Sequence, residues 1–144
     1  MVCVCDGFDK VPESFKKYAT DHKFFDINIL KEKGFMQKGR DGTWRMKAMQ
    51  ELMDKSVATK DIPKNALHLF QVCTSDFGLD QLYLRGRRIN FIFALKQRND
   101  SKINSHKWFF QGICKYLQPK LCLMLDIGTR PDDYAIAKLY FAIA

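Results

Sequence analysis

The stretch Ile89-Asn-Phe-Ile-Phe-Ala-Leu95 decides the fold. It is short and apolar, and it is rich in β-branched and aromatic side chains, so it reads as a strand buried in a sheet. Working back from it, residues 76–86 read as a connector and residues 68–73 as a second strand. Working forward, Ser105 is placed to cap a helix over 106–117. In that helix Phe109, Ile113 and Tyr116 share one face, and Phe110, Cys114 and Leu117 share another. Pro119 ends the helix, and the wholly apolar run 121–125 reads as a further buried strand that stops at Asp126-Ile127-Gly128-Thr129. Pro131, Asp132 and Asp133 then open a last helix, with acids at its positive end.

The N-terminal part supplies more of the same alternation. Residues 1–5 form an apolar run that stops at Asp6-Gly7, which predicts a buried strand ending in a loop. Pro12 suits the start of a helix in which Phe15, Tyr18 and Ala19 fall on one face. Residues 31–42 are charged and carry glycines, so a loop is expected there. Thr43 is a candidate cap for a helix with Trp44, Ala48 and Leu52 spaced four apart, and 61–65, with Pro63, reads as a turn. Strand, helices, strand, strand, helix, strand, helix is an α/β order. The lack of alternation in the apolar runs predicts a sheet covered on both faces. Neither a repeat nor a low-complexity tract is present. Both ends read as cut, because the first residue already lies in a strand and the last helix stops at Phe141-Ala-Ile-Ala144 without a cap. The expectation is a segment of a larger protein, or a reduced relative.

Length and composition bound the rest. The chain has 144 residues, 47% hydrophobic and 28% charged, which predicts one globular domain and excludes disorder or a collagen-like chain. The longest apolar run, 139–144, is six residues, against roughly 18 or more for a membrane helix. Residues 1–5 run straight into Asp6 and Gly7, so no secretory leader is expected. Lysine and arginine number 24 against 16 acids, a net charge of +8. Such a charge attracts anions, but here it is dispersed over 31–38, 85–88 and 96–102, reads as a solvated surface, and comes with no nucleic-acid-binding motif. Nucleic acid is therefore not an expected partner. The cysteines (Cys3, Cys5, Cys73, Cys114, Cys122) are odd in number and lack zinc-site spacing, which predicts buried thiols in a reducing compartment.

Two constellations can carry chemistry. Asp6 and Asp126 each follow an apolar strand and each precede a glycine within two residues. In open α/β sheets ligands bind outside the carboxyl ends of strands. A carboxylate there can hold a divalent cation on phosphate oxygens or accept a hydrogen bond from a nucleoside, and the glycine leaves room for a bulky ligand. A turn or helix-cap role explains each aspartate as well. The second constellation is Lys102-Ile-Asn-Ser-His-Lys-Trp108, where Lys102 lies just before a helix and its ammonium could meet a phosphate. An ordinary capped amphipathic helix with a core tryptophan is the competing reading.

The residues from Phe91 to Pro131 resemble the chitin synthases, processive family-2 glycosyltransferases with a GT-A fold. The resemblance rests on Lys102-Ile-Asn-Ser-His-Lys-Trp-Phe-Phe110, followed by an apolar run and Leu125-Asp-Ile-Gly-Thr-Arg-Pro131. Residues 1–7 resemble the strand end that carries Val-Ser-Asp-Gly-Arg in that family. The resemblance implies a partial catalytic domain over 1–144: an incomplete GT-A-type, Rossmann-like sheet flanked by helices that forms the donor-binding half. It implies transfer of N-acetylglucosamine from UDP-N-acetylglucosamine to a growing β-1,4-linked chitin chain with inversion. By position, Asp126 would hold Mg²⁺ or Mn²⁺ and the diphosphate, Asp6 would contact the uridine, and Lys102 would contact the nucleotide. The parent enzyme would be embedded in the cell membrane with this segment on its cytosolic face, and a homodimer is one assembly open to it.

The departures are equally specific. Phe8 stands where the family has arginine after Asp-Gly, and Lys107 replaces an arginine. The Glu-Asp-Arg and Gln-Arg-Arg-Arg-Trp motifs do not occur in this chain, so the general base lies outside it and the segment alone is expected to be inactive. Two other readings stand beside this one: a non-catalytic nucleotide-sugar-binding or interaction module derived from the same fold, and, on charge alone, a nucleic-acid binder.

Overall fold

The computed structural model describes residues 1–22, 25–73, 75, 88–126 and 128–143. The expected strand around Phe93 is present as Asn90–Lys96, the centre of a three-stranded sheet. Taking the strands in chain order, β1 is Val2–Cys5, β2 Met36–Lys38, β3 Trp44–Met46, β4 Leu67–Cys73 and β5 Asn90–Lys96. The helices are α1 (Glu13–Asp21), α2 (Ile27–Glu32), α3 (Met49–Leu52), α4 (Lys102–Lys107), α5 (Lys115–Leu117) and α6 (Ala135–Ile143). A π-helical stretch, Trp108–Cys114, joins α4 to α5. The fold is α/β, a small mixed sheet flanked by helices, as expected.

The sheet runs β1-β5-β4, with β1 parallel and β4 antiparallel to β5. Register sets one face as the core. Cys3 lies beside Phe93 and Cys5 beside Leu95, while Phe70 lies beside Phe93 and Val72 beside Phe91. Side chains two apart on a strand point the same way, so these residues form one apolar layer. Phe25 covers it, edge-on to Phe70 at 5.0 Å and to Phe93 at 5.4 Å between ring centroids. From α1, Phe15 meets Phe93 at 5.5 Å and Ala19 is fully buried, whereas Tyr18 lies at the edge of that face. The opposite face is unevenly covered. Ala94 is buried, but Leu69 is 56% exposed, so cover on both faces is incomplete.

Four elements differ from expectation. Residues 31–42 are not one loop, because they contain the end of α2 and all of β2. Thr43 does not cap a helix. It closes the β2–β3 hairpin, in which Met36 pairs with Met46 and Lys38 with Trp44. The Asp41 carboxylate accepts from both the Thr43 amide (3.1 Å) and the Thr43 hydroxyl (2.7 Å), and Gly42 takes a positive φ of 81°. An Asp-Gly pair is a hairpin signal, and here it overrides the four-residue spacing of Trp44, Ala48 and Leu52. Only Met49–Leu52 is helical, with Glu51 reaching back to the Ala48 amide at 2.7 Å.

The helix expected from His106 starts earlier, at Lys102, and its cap is Ser101 rather than Ser105. Residues 121–125 form no strand. Leu121, Leu123, Met124 and Leu125 are each 44–51% exposed, and the run pairs with neither edge strand, β1 nor β4, of the sheet of described residues. The 76–86 connector, Ile127 and most of the 85–88 basic patch lie outside the described residues. After Asp126 the backbone turns, with the Thr129 amide on the Asp126 carbonyl at 3.0 Å, and α6 follows two residues after Asp133.

Candidate functional site

Parallel pairing brings two strand ends to one edge of the sheet. Cys5 lies beside Leu95, so Asp6, just past the end of β1, stands beside Lys96, the last residue of β5. Lys96 is fully buried and Asp6 is about one-third exposed, and they form an ion pair between Nζ and Oδ1. The same ammonium donates to the Ser101 carbonyl at 3.1 Å and to Asn104 Oδ1 at 3.2 Å. An ammonium has three donors, and all three are satisfied here, the condition under which a charge tolerates burial. The expectation that 96–102 is a solvated basic patch is therefore corrected, since Lys96 is the interior tie between β5, β1 and α4.

Ser101 is held by this tie in a left-handed conformation (φ 76°), and its hydroxyl accepts from the Asn104 amide at 3.4 Å. That fixes the start of α4. One turn on, the Ser105 hydroxyl donates to Asp6 Oδ1 at 3.2 Å. Lys102, in the first turn, donates to Asp126 Oδ2 at 2.8 Å. Both partners are mostly exposed. The hydrogen bond and charge of Lys102 hold the Asp126 carboxyl below the usual carboxylate range, with a smaller pull from His106.

All three residues singled out in the sequence thus gather around α4: Asp6 on Ser105, and Asp126 on Lys102. The two glycines differ. At Gly7, with φ 102°, an added Cβ would stand 3.1 Å from the Asn99 amide nitrogen, so it is the 98–99 backbone that approaches there, not open space for a ligand. At Gly128, with φ 95°, nothing lies within 4 Å, and room for a ligand remains. Phe8, where the resembled family has arginine, is buried in the core against Phe25 at 6.3 Å.

Lys96 was not among the expected site residues. Its signal was positional: it ends one apolar run as Asp6 ends another. Gln97 was missed as well. It is buried, donates to the carbonyls of Phe35 (3.1 Å) and Lys47 (2.9 Å), and meets His68 Nε2 at 2.5 Å. It thereby pins the hairpin to the sheet below the site. Among the described residues no group of three or more His, Cys, Asp or Glu stands close enough to cage a metal ion. A cation at Asp126 would have to take most of its ligands from water and phosphate, as Mg²⁺ does with nucleotides.

Comparison with known proteins places residues 41–144 in the chitin synthase-like glycosyltransferase domain. The chain is 30% identical over 138 residues to chitin synthase 2 of Cryptococcus neoformans, covering 90% of this chain and 13% of that protein. It is 43% identical over 65 residues to chitin synthase C of Aspergillus oryzae, covering 43% of this chain and 7% of that protein. It is 38% identical over 82 residues to chitin synthase 1 of Ajellomyces capsulatus, covering 52% of this chain and 43% of that protein. The chain thus spans less than half the length of these relatives. No solved structure matches.

Proposed function

The chain belongs to the chitin synthase-like glycosyltransferase family, and from that premise we propose that it is the donor-binding half of an enzyme that adds N-acetylglucosamine from UDP-N-acetylglucosamine to a β-1,4-linked chitin chain. The observation that carries this reading is the contact of Lys102 with Asp126, one helical turn from the Asp6–Ser105 bond. Three groups suited to a nucleoside diphosphate stand around one short helix.

In this reading Asp6 receives the uridine. Ser105 and Lys96 both engage its Oδ1 and orient the carboxylate, leaving Oδ2 toward the ligand. Lys102 exchanges Asp126 for the nucleotide phosphates, an exchange between exposed charges that costs little desolvation. Asp126, a carboxylate ionised at neutral pH, would supply one anionic oxygen for Mg²⁺ or Mn²⁺. Such a cation neutralises the leaving diphosphate. Gly128 keeps the turn open to this ligand. The base that deprotonates the acceptor hydroxyl, and the chitin-binding residues, come from outside these residues. No helix among the described residues is long and apolar enough to cross a membrane, so the membrane part of the enzyme is likewise assigned elsewhere, with this segment on the cytosolic side.

The test is incorporation of labelled N-acetylglucosamine into insoluble polymer by the full-length enzyme. Asp126→Ala is expected to abolish it, and full activity in that variant would remove Asp126 from the site.

A further inference from the structure

Cys114 and Cys122 are eight residues apart in sequence and their sulfurs stand 3.5 Å apart. Cys114 sits half-buried at the end of the π-helical stretch, and Cys122 is exposed in the extended run that leads to Asp126. The expectation of buried thiols is not met: Cys3, Cys5, Cys73 and Cys114 are partly buried and Cys122 is exposed. We propose that these two residues are a reversible dithiol–disulfide site, closed by exchange with a low-molecular-weight disulfide such as oxidised glutathione.

The geometry favours this pair. A disulfide needs sulfurs about 2.0 Å apart, so closure asks for a movement of about 1.5 Å. The run around Cys122 belongs to neither helix nor sheet and is free to supply it. The competing pair, Cys3 and Cys5, lies in β1 against the core, where burial pushes the Cys5 thiol up to about 11 and so keeps it unreactive. Exposure makes Cys122 the attacking thiol. Burial and contact with Cys122 push the Cys114 thiol up, and what places it for the second step is its position, with its sulfur 3.5 Å from that of Cys122.

The exchange balances as follows. The Cys122 thiolate attacks one sulfur of the glutathione disulfide and expels a glutathione thiolate, leaving a mixed disulfide on Cys122. The Cys114 thiolate then attacks the Cys122 sulfur and expels the second glutathione thiolate. Two protein S–H bonds are lost, one S–S bond is gained, the oxidant is reduced to two thiols, and the two protons pass to the expelled thiolates. The new bond ties the π-helical stretch to the segment that carries Asp126.

The chain is equilibrated in glutathione buffers of increasing oxidised fraction, quenched in acid and alkylated. The monomer is then isolated under denaturing conditions and mapped by mass spectrometry after trypsin. The expected result is a linked pair of peptides carrying Cys114 and Cys122 that rises as the buffer becomes more oxidising. Cys114→Ser should stop at a glutathione adduct on Cys122. Separate, alkylated Cys114 and Cys122 peptides in the most oxidising buffer would overturn the proposal, as would preferential linkage of either one to Cys3, Cys5 or Cys73.

Discussion

The ammonium of Lys96 and the carboxylate of Asp6 form an ion pair in which the lysine is wholly buried and the aspartate is one-third exposed. That asymmetry decides what each substitution does. In Lys96→Met the aliphatic volume is kept, and Asp6 retains water and Ser105. In Asp6→Asn the buried ammonium keeps only neutral acceptors. Removing one partner of a buried pair costs about 3–5 kcal/mol. Asp6→Asn is expected near that range and Lys96→Met below it, read from urea unfolding midpoints. Equal losses would mean that the burial difference does not govern the pair.

The Lys102–Asp126 contact predicts a titration rather than a stability effect. Lys102 lowers the Asp126 carboxyl in the folded state. Its contribution is therefore present above the ordinary carboxylate value of about 3.9 and is lost as pH falls through the lower folded value. Lys102→Gln should move the Asp126 titration upward toward that ordinary value, as followed by side-chain carboxyl NMR. Because both groups are exposed, the unfolding midpoint at neutral pH should scarcely change.

How far the sequence could be read follows from what each signal encodes. The strands β1 and β5 were legible because unbroken apolar runs need burial whatever their partners, and β4 was legible from its apolar residues despite His68 and Gln71. The hairpin was not, because the spacing of Trp44, Ala48 and Leu52 fits a helix as well as it fits chance, and the deciding bonds come from the Asp41 side chain. The run 121–125 shows the reverse error: apolar character expresses a demand for burial but names no partner edge. Around the candidate site, Asp6, Lys102 and Asp126 were singled out because they stand at run ends and a helix start. Lys96 escaped because a lysine reads as solvated until its acceptors are known, and Asp6 lies far off in sequence.

The exposed apolar side chains carry a colloidal prediction. Leu121, Leu123, Met124 and Leu125, with Leu139, Tyr140, Phe141 and Ile143 of α6, are 44–80% exposed. Such patches mark surfaces that associate. The isolated chain is expected to bind a hydrophobic dye and to scatter light as its concentration rises. Replacing Leu123 and Phe141 by serine should reduce both without lowering the unfolding midpoint, because neither side chain supports the core.

Acid should release the hairpin before it unfolds the sheet. His68 lies on β4, its ring 4.6 Å from Phe35 and its Nε2 2.5 Å from Gln97 Oε1. Burial lowers its pKa, partly offset by the Gln97 bond. The folded value thus lies below the unfolded one, near about 6.5. Below that pH the unfolded chain binds more protons, so stability present above about 6.5 falls as pH drops through the folded value. The proton goes to Nδ1 and leaves the Gln97 bond in place, so the strain falls on the ring's packing against Phe35, which leads into the β2–β3 hairpin. Amide exchange at Met36–Lys38 and Trp44–Met46, corrected for the intrinsic pH dependence, should therefore lose protection in mild acid while Phe93 to Leu95 stay protected. His68→Phe removes the titrating group and should abolish that selective loss. If both segments lose protection together in the wild-type chain, His68 does not act through the hairpin.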